Sequence, residues 1–294
     1  MSGQLKGIVL KCVGGFYSVE AADAVYTCRA RGVFRKKGIS PLAGDHVLIT
    51  PDADMTGSLD EVLERRNSLI RPPVANLDLL LMVSSVRDPL PNTLVLDKMI
   101  AIAESKGIEP VLIFNKTDLA SADDLAEVYR RAGFQVFALS ALHDDLSSLR
   151  ELLRGKVSAL TGNSGVGKSS LLNALEGLML ETGGISYKLG RGRHTTRETA
   201  LYPLKQGGYI VDTPGFSSLD MERVEWIRKE ELAGCFREFA PYLGQCRFTS
   251  CSHVRENGCA VLEAVKAGKI AFSRHESYAA IYQDVKNIRE WERK

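Results

Sequence analysis

The chain has 294 residues, of which 45% are hydrophobic and 25% are charged, and its net charge is only +2. This composition is typical of a globular protein with room for about two or three compact units. So small a net charge does not by itself indicate a nucleic-acid partner, which must be argued from local basic clusters.

The opening segment, MSGQLKG, lacks the apolar core of a secretory signal. The longest apolar run, Leu77–Val83, is broken by Asp78, is too short to span a bilayer and is typical of a buried parallel strand. We therefore expect a cytoplasmic protein with no membrane partner. In that compartment the six cysteines are expected to be metal ligands or core residues before disulfides.

Residues 1–70 are predicted to form a small all-β barrel with an OB-like fold. The segments KGIVLKCV and FYSVEA flank Gly14 and Gly15, a pattern typical of a β-hairpin. The segments VYTCRARG and DHVLIT follow, and a last strand is expected within LDEVLERRNSLIR. Short strands with glycine turns and no long helix favour a barrel. The next segment, RPPVANLD, is expected to be a linker, because paired prolines cannot continue a strand ladder.

Residues 71–220 are predicted to form a doubly wound α/β domain. Five apolar segments, LLLMVSSV, VLIF, VFAL, VSAL and YIVD, alternate there with helical stretches, as such folds require. Residues 221–294 are predicted to be mainly helical, interrupted by a cysteine-rich loop. Their last segment, ESYAAIYQDVKNIREWERK, has the apolar face of a helix that packs on its own domain.

The segment GNSGVGKS, residues 162–169, fits the phosphate-binding loop of nucleotide-binding proteins. It lies between the strand VSAL and a helical segment, which is the context that the motif requires. Its glycines let backbone N–H groups converge on phosphate oxygens. Lys168 is predicted to reach the outer phosphates and the Ser169 hydroxyl to bind Mg²⁺. A chance glycine loop is the alternative, and the flanking elements count against it.

The segment NKTD, residues 115–118, follows the strand VLIF and is typical of the motif with which GTPases recognise the guanine base. We call this segment the base reader. An ionised carboxylate such as that of Asp118 only accepts hydrogen bonds. Guanine donates N1–H and N2–H on one edge, whereas adenine has an acceptor at N1, so this residue is predicted to select GTP over ATP. Asn115 and Lys116 are predicted to tie the segment to the base and to the phosphate loop. In LSA, residues 139–141, a backbone N–H is expected to meet the guanine O6.

The segment DTPG, residues 212–215, follows the strand YIVD. Asp212 is predicted to hold Mg²⁺ through water, and the Gly215 N–H to sense the terminal phosphate. The preceding polar stretch, ETGGISYKLGRGRHTTRETA, predicts a mobile loop of the kind that GTPases order with that phosphate, and Thr196 is its expected Mg²⁺-binding hydroxyl. An ordinary Pro-Gly turn is the alternative for DTPG.

The residues predicted to contact GTP lie at the ends of strands or in the phosphate loop. They are Asn115, Lys116, Thr117, Asp118, Ser140, Ala141, Gly162, Asn163, Ser164, Gly165, Val166, Gly167, Lys168, Ser169, Ser170, Asp212 and Gly215.

The order of these motifs is unusual, because the base reader precedes the phosphate loop. An ordinary GTPase runs from the phosphate loop through DTPG to the base reader. This chain has the same cyclic order of motifs, but it begins at a different point of that order. Circular permutation is tolerated when the new ends fall in exposed loops. The motifs are still expected to meet, because each follows the carboxyl end of a strand. We also expect GTP hydrolysis to reposition the C-terminal domain relative to the barrel, because DTPG directly precedes that domain.

Four residues of the C-terminal region form the pattern C-x4-C-x-H-x5-C: Cys246, Cys251, His253 and Cys259. Three thiolates and one imidazole make a closed tetrahedral ligand set, which predicts one structural Zn²⁺ per chain. A cluster of ordinary buried cysteines is the alternative. Cys12, Cys28 and Cys235 are interpreted as core or surface residues.

The barrel carries a basic segment, RARGVFRKK, which contains no acidic residue. Its predicted RNA-binding residues are Arg29, Arg31, Arg35, Lys36 and Lys37, with Phe34 as a possible stacking ring. OB barrels bind nucleic acid through such faces. A solvated basic loop is the alternative. Arg247, His253 and Arg255 of the metal loop are further candidates for phosphate contacts.

The permuted motif order, the barrel before it and the zinc-type loop after it together resemble the circularly permuted, small-subunit-dependent GTPases of the RsgA (YjeQ/YloQ) family. The resemblance spans essentially the whole chain. It implies GTP hydrolysis stimulated by the small ribosomal subunit, rRNA binding, and a role in late maturation of that subunit. Phe216 occupies the position of the water-orienting glutamine of Ras-like enzymes, so slow intrinsic hydrolysis is expected.

The resemblance also points to His194 as the residue that positions the attacking water, and a surface or RNA-contacting histidine is the alternative. Two other functions stay open at this point. One is a nucleotide-dependent phosphotransferase, and the other is a zinc-containing RNA-binding protein that uses GTP only to regulate affinity. Nothing in the sequence requires more than a monomer.

Overall fold

The protein is described by a computed structural model over residues 3–32, 34, 38–176, 199–212, 225 and 227–287. Its strands, in chain order, are β1 (Leu5–Val13), β2 (Phe16–Ala21), β3 (Ala24–Ala30), β4 (His46–Pro51), β5 (Thr56–Val62), β6 (Ser68–Leu69), β7 (Val74–Ala75), β8 (Leu79–Ser85), β9 (Glu109–Asn115), β10 (Gln135–Leu139), β11 (Val157–Thr161), β12 (Ala200–Pro203) and β13 (Tyr209–Asp212).

The α-helices of the described residues are α1 (Thr93–Ser105), α2 (Asp123–Arg131), α3 (Ser147–Leu153), α4 (Lys168–Glu176), α5 (Lys229–Leu232), α6 (Ala260–Lys266) and α7 (Phe272–Val285). Two 3-10 segments, Ala233–Cys235 and Arg237–Tyr242, lie between α5 and α6. The chain divides into two compact units. The first comprises Met1–Leu81, Ala141–Thr161 and Lys168–Ser217, and the second comprises Met82–Ser140, Gly162–Gly167 and Ser218–Lys294.

The first unit contains the predicted barrel. Its strands are neighbours in the order β1-β2-β3-β5-β4, and β1 also pairs with β4, which closes the barrel. The Gly14–Gly15 turn joins β1 to β2 as predicted, and both glycines have the positive φ that such a tight hairpin turn favours. Alternating residues of the strands, among them Val9, Val19 and Ile49, fill the interior. The OB-like barrel is therefore confirmed.

The first unit also contains a sheet that continues from the barrel. β11 pairs in parallel with β13, β13 pairs antiparallel with β12, and β12 pairs antiparallel with β1. The Tyr209 hydroxyl donates a 2.9 Å hydrogen bond to Glu20, which links β13 to β2. β12 was not predicted, because its four residues, ALYP, are too few to show a period of two.

The segment RPPVANLD was expected to be a linker, but the structure packs it within the first unit. Val74 and Ala75 are fully buried, and they pair with β6 as strand β7. The Ala75 N–H donates a 2.9 Å hydrogen bond to the Ala43 carbonyl. The prolines fall in the turn of residues 70–73 between the two strands, so the apolar residues after them are free to form a short strand.

The second unit joins parallel strands to the C-terminal helices. β10 pairs in parallel with β9, as predicted for an α/β domain. α1 precedes β9 and α2 follows it. α1 begins at an N-cap, Asn92, whose side chain accepts from the Val95 N–H. The C-terminal region is mainly helical as predicted, and Tyr278 and Ile281 of α7 are buried.

A buried ion network fixes α7 within this unit. Arg274 is only 1% exposed, and its guanidinium donates hydrogen bonds to Asp97 of α1 and to Glu238. Asp97 also accepts a 3.0 Å hydrogen bond from the Tyr129 hydroxyl. Arg274 cannot deprotonate in a protein, so both carboxylates face a permanent charge. The network therefore ties the C-terminal region to the helix that precedes β9.

We expect Arg274→Met to destabilise the protein by about 3–5 kcal/mol, because it leaves buried carboxylates without their cation. The matched control is Lys266→Met, which removes a cation from the exposed pair of Lys266 and Glu263 and should cost at most about 1 kcal/mol. Urea denaturation of both variants measures the difference. Equal stabilities of the two variants would contradict the role assigned to the network.

None of the helices in the described part of the chain is both long and apolar enough to cross a membrane.

Candidate functional site

The base-reading segment begins at the carboxyl end of β9. Asn115 is the last residue of the strand and is buried, whereas Asp118 is exposed. Lys116 has a positive φ of 67°, which turns the chain sharply after the strand. The Thr117 N–H lies 3.4 Å from the Leu139 carbonyl of β10. The strand end and this turn thus leave Asp118 exposed beside the LSA segment.

The base-reading segment is bonded to the phosphate loop. The Asn115 amide donates a 2.9 Å hydrogen bond to the Val166 carbonyl, across 51 positions of the chain. This contact is the one predicted for Asn115. It means that the two motifs meet in the second unit although their order in the chain is reversed.

Two glycines of the phosphate loop are required by close approach. A Cβ at Gly162 would overlap the Val83 carbonyl oxygen, and a Cβ at Gly167 would overlap the Asn115 amide. Both residues also have positive φ, which side chains rarely adopt. The loop ends at Lys168, the first residue of α4, where helix N–H groups favour an anion. Burial lowers the pKa of the Lys168 amine, and a phosphate would favour the charged form again.

Ser140 and Ala141 follow β10 directly and are both buried. The remaining predicted loop residues, Asn163, Ser164, Gly165, Ser169 and Ser170, lie within the strand–loop–helix of residues 157–176 as expected.

Several predicted residues lie outside the described part of the chain. These are the catalytic candidate His194, the Mg²⁺ candidate Thr196, Gly215 of DTPG, and the basic residues Arg35, Lys36 and Lys37. Asp212 is the last residue of β13, but its side chain is outside the described part. Their roles therefore stay predictions.

A turn that the sequence analysis overlooked adjoins both motifs. It comprises residues 86–91 after β8. The Lys116 amine donates a hydrogen bond to the Asp88 carbonyl of this turn rather than to the phosphate loop. The Asp-Pro pair at 88–89, directly after a strand, is the sequence signal that indicates such a turn.

The predicted metal ligands converge at one point of the second unit. One ligand atom from each of Cys246, Cys251, His253 and Cys259 lies within 4.8 Å of the others. The His253 Nδ1 atom is 3.5 Å from the sulfurs of both Cys246 and Cys259. Burial lowers the pKa of His253, which favours the neutral imidazole that a metal requires. Three sulfurs and one imidazole suit a tetrahedral ion, so the residues fit a metal site.

The surrounding residues hold this loop in place. Glu256 accepts hydrogen bonds from the backbone of Ser252 and Val254. From α7, the Tyr278 hydroxyl donates to the Ser252 carbonyl, and His275 Nε2 lies 2.8 Å from the His253 carbonyl. His253 was also considered as a phosphate contact, but it is buried and faces the cluster, so that role is wrong.

The barrel surface differs in part from the predicted RNA face. Phe34 is buried in the barrel interior, so it is not available for stacking. The exposed ring is instead Phe16, which lies opposite Arg29 on β2 and β3, with the guanidinium 4.6 Å from the ring centre. Arg31 forms a 2.8 Å ion pair with Asp60, which partly offsets its charge. The ion pair of Arg31 with Asp60 could not be predicted from the basic segment, because Asp60 lies on β5, a strand distant in the sequence.

Comparison with known proteins agrees with this geometry. The family model for the RsgA GTPase matches residues 62–222, and that for the RsgA N-terminal domain matches residues 6–59. The small ribosomal subunit biogenesis GTPase RsgA of Caldanaerobacter subterraneus is 43% identical over 288 residues, covering 96% of both chains. That of Geobacillus kaustophilus is 42% identical, covering 96% of this chain and 97% of its own.

Two solved structures are similar over nearly the whole chain. YjeQ from Thermotoga maritima has a TM-score of 0.82 and 36% identity, covering 98% of this chain and 100% of its own. YloQ, described as a circularly permuted GTPase, has a TM-score of 0.80 and 34% identity, covering 97% and 96%. These matches confirm the resemblance drawn from the motifs. The chain belongs to the RsgA GTPase family and is a GTP-hydrolysing enzyme with a circularly permuted nucleotide domain.

Proposed function

We propose that this enzyme binds the small ribosomal subunit during its late maturation and that the subunit stimulates its GTP hydrolysis. The relatives described above carry small-subunit biogenesis in their names. The structural observation that carries the nucleotide part is the hydrogen bond from Asn115 to Val166, which joins a guanine reader to a phosphate loop. A phosphotransferase is disfavoured, because the family is one of GTPases.

The residue roles follow from chemistry at each position. Asp118 accepts hydrogen bonds from the guanine edge. Lys168 and the backbone N–H groups of the loop bind the phosphates. Ser169 and Thr196 would hold Mg²⁺ directly and Asp212 through water, and this ion supplies charge neutralisation at the outer phosphates. The N–H of Gly215 senses the terminal phosphate.

In this proposal each of three segments of the chain has its own role. Residues 1–70 form the rRNA-binding barrel, residues 71–220 the nucleotide domain, and residues 221–294 the metal domain. The barrel contacts rRNA through the predicted basic residues, with the exposed ring of Phe16 beside Arg29 as a further contact. The cluster at Cys246 holds one Zn²⁺ per chain, because its ligands are sulfur-rich and closed. We propose a cytoplasmic monomer.

The direct test is multiple-turnover GTP hydrolysis with purified small subunits, with large subunits as the control. Stimulation by small subunits alone, weakening steeply as salt rises, would support the proposal, because phosphate contacts release counterions. Stimulation by neither subunit would remove the ribosomal assignment. GTP binding without multiple turnover, together with subunit binding, would favour the alternative of an RNA-binding protein regulated by GTP.

We expect His194→Ala to abolish subunit-stimulated turnover while leaving GTP affinity unchanged. Phe216 occupies the position of the usual water-orienting glutamine and cannot perform that role, so the imidazole of His194, to which the family resemblance points, is the better candidate. Single-turnover rates with small subunits measure the first effect, and calorimetric titration with a non-hydrolysable GTP analogue measures the second. Unchanged stimulated turnover would remove His194 from the mechanism.

A further inference from the structure

The turn of residues 86–91 makes contacts that neither the sequence motifs nor the proposed roles explain. It leaves β8 at Ser85, which is fully buried, and reaches α1 at Asn92. All of its contacts described below lie in the second unit. They connect the turn to both halves of the candidate nucleotide site.

The contact with the base reader is made by the backbone. The Asp88 carbonyl accepts the hydrogen bond from the Lys116 amine, and the Val86 N–H donates a 3.0 Å hydrogen bond to the Asn115 carbonyl. The turn therefore holds the two residues that precede Thr117 and Asp118. Among these contacts, the Lys116 amine bonds to one group, the Asp88 carbonyl. The direction of that carbonyl depends on the conformation of the turn.

The ring of Pro89 approaches the phosphate loop. A Cβ at Gly165 would lie 3.6 Å from Pro89 Cδ, which is ordinary van der Waals distance. The ring of Pro89 thus lies beside the middle of the phosphate loop. A shift of this turn would move together the Asp88 carbonyl that holds Lys116 and the Pro89 ring beside the phosphate loop.

The conformation of the turn depends on one side chain. The Ser85 hydroxyl donates a 2.6 Å hydrogen bond to the Pro89 carbonyl, closing the turn over four positions. Asp88 within it has a positive φ of 49°, a conformation that needs support from its surroundings. Because Ser85 is fully buried, losing its hydroxyl removes the bond that closes the turn from the interior side.

From these contacts we propose that Ser85 is a positioning residue for nucleotide binding. Its hydroxyl sets the turn, and the Asp88 carbonyl of the turn fixes Lys116, while the ring of Pro89 lies beside the phosphate loop. Loss of the hydroxyl loosens the hold of the turn on Lys116 and speeds the release of nucleotide. This inference rests on the proposed nucleotide site, since it assumes that Lys116 acts there.

A double-mutant cycle tests the inference with Ser85→Ala, Lys116→Met and the combined variant. We expect Ser85→Ala to weaken GTP binding about tenfold, mainly through faster dissociation, as measured with a fluorescent non-hydrolysable GTP analogue. In the Lys116→Met background the same substitution should have a much smaller effect, because the residue through which it acts is already gone. The matched control is Ser105→Ala, which removes a 2.8 Å hydroxyl bond to the Ile102 carbonyl in α1. It should leave nucleotide binding unchanged.

The outcomes separate the two levels of the proposal. If Lys116→Met binds GTP as the wild type does, Lys116 does not act at the nucleotide site and the premise of the inference fails. If Lys116→Met is weak but Ser85→Ala binds within twofold of the wild type, or the two effects simply add, the role of Ser85 is overturned. Thermal unfolding of each variant shows whether a loss of binding follows from a loss of folded protein.

Discussion

Removing the proposed Zn²⁺ should unfold the cysteine–histidine loop and release the helices that pack on it. Among residues 243–259 only His253 and Cys259 are buried, and both belong to the cluster. The loop therefore has almost no apolar core of its own. Structural Zn²⁺ supplies about 10–16 kcal/mol of apparent binding free energy in small zinc domains, so its loss cannot be replaced by the few contacts that remain.

Hydrogen exchange of the intact chain, with and without a strong chelator, measures this effect. We expect amides of the metal loop and of α6 to lose protection, while the barrel amides keep theirs. Cys251→Ser should reproduce the loss without chelator. Cys235→Ser is the matched control, since this buried cysteine of the same region lies outside the cluster. Unchanged protection of the loop after complete metal removal would contradict a structural ion.

Gly167→Ala should reduce GTP affinity by at least about 100-fold, or roughly 2.7 kcal/mol. The new Cβ would overlap the Asn115 amide, which bonds to the phosphate loop. It would also force a positive φ of 91° on alanine. The overlap displaces Asn115, so a single methyl group disturbs the phosphate loop and the base reader together.

Comparison with Gly207→Ala separates the effect of the Cβ overlap at Gly167 from the effect of backbone strain. Gly207 has a closely similar φ of 87°, but a Cβ there would meet no atom within 4 Å. Calorimetric titration of GTP into both variants gives the comparison. We expect Gly207→Ala to bind GTP as the wild type does, at some cost in stability. Equal affinities of the two glycine variants would show that the contact with Asn115 is not needed.

The fold was predictable where one local pattern determines one structure. The Gly14–Gly15 pair indicates its hairpin because glycine adopts the positive φ of such a turn without steric cost. The strands before residues 115, 140 and 162 were predictable because apolar runs precede polar motifs. The convergence of the cysteines was predictable because closely spaced ligands can surround one ion.

Contacts distant in the chain were not predictable from local patterns. Phe34 lies in a basic segment, yet it packs inside the barrel, because neighbouring residues do not show which face a ring occupies. Arg274 and Asp97 are 177 positions apart, and neither helix pattern indicates that its charged residue is buried. The bond from Lys116 to Asp88 likewise joins two turns whose separate sequences do not reveal each other.

The central claim is that motifs in rotated order form one guanine site, and the binding of GTP, ATP and xanthosine triphosphate to Asp118→Asn tests it most directly. An amide donates where the carboxylate accepts, so it opposes the guanine N2–H group and suits the xanthine oxygen at that position. By calorimetry we expect the wild type to prefer GTP strongly, and the variant to lose that preference over ATP and to gain affinity for xanthosine triphosphate. A variant that keeps the wild-type preference for GTP over ATP would contradict the account.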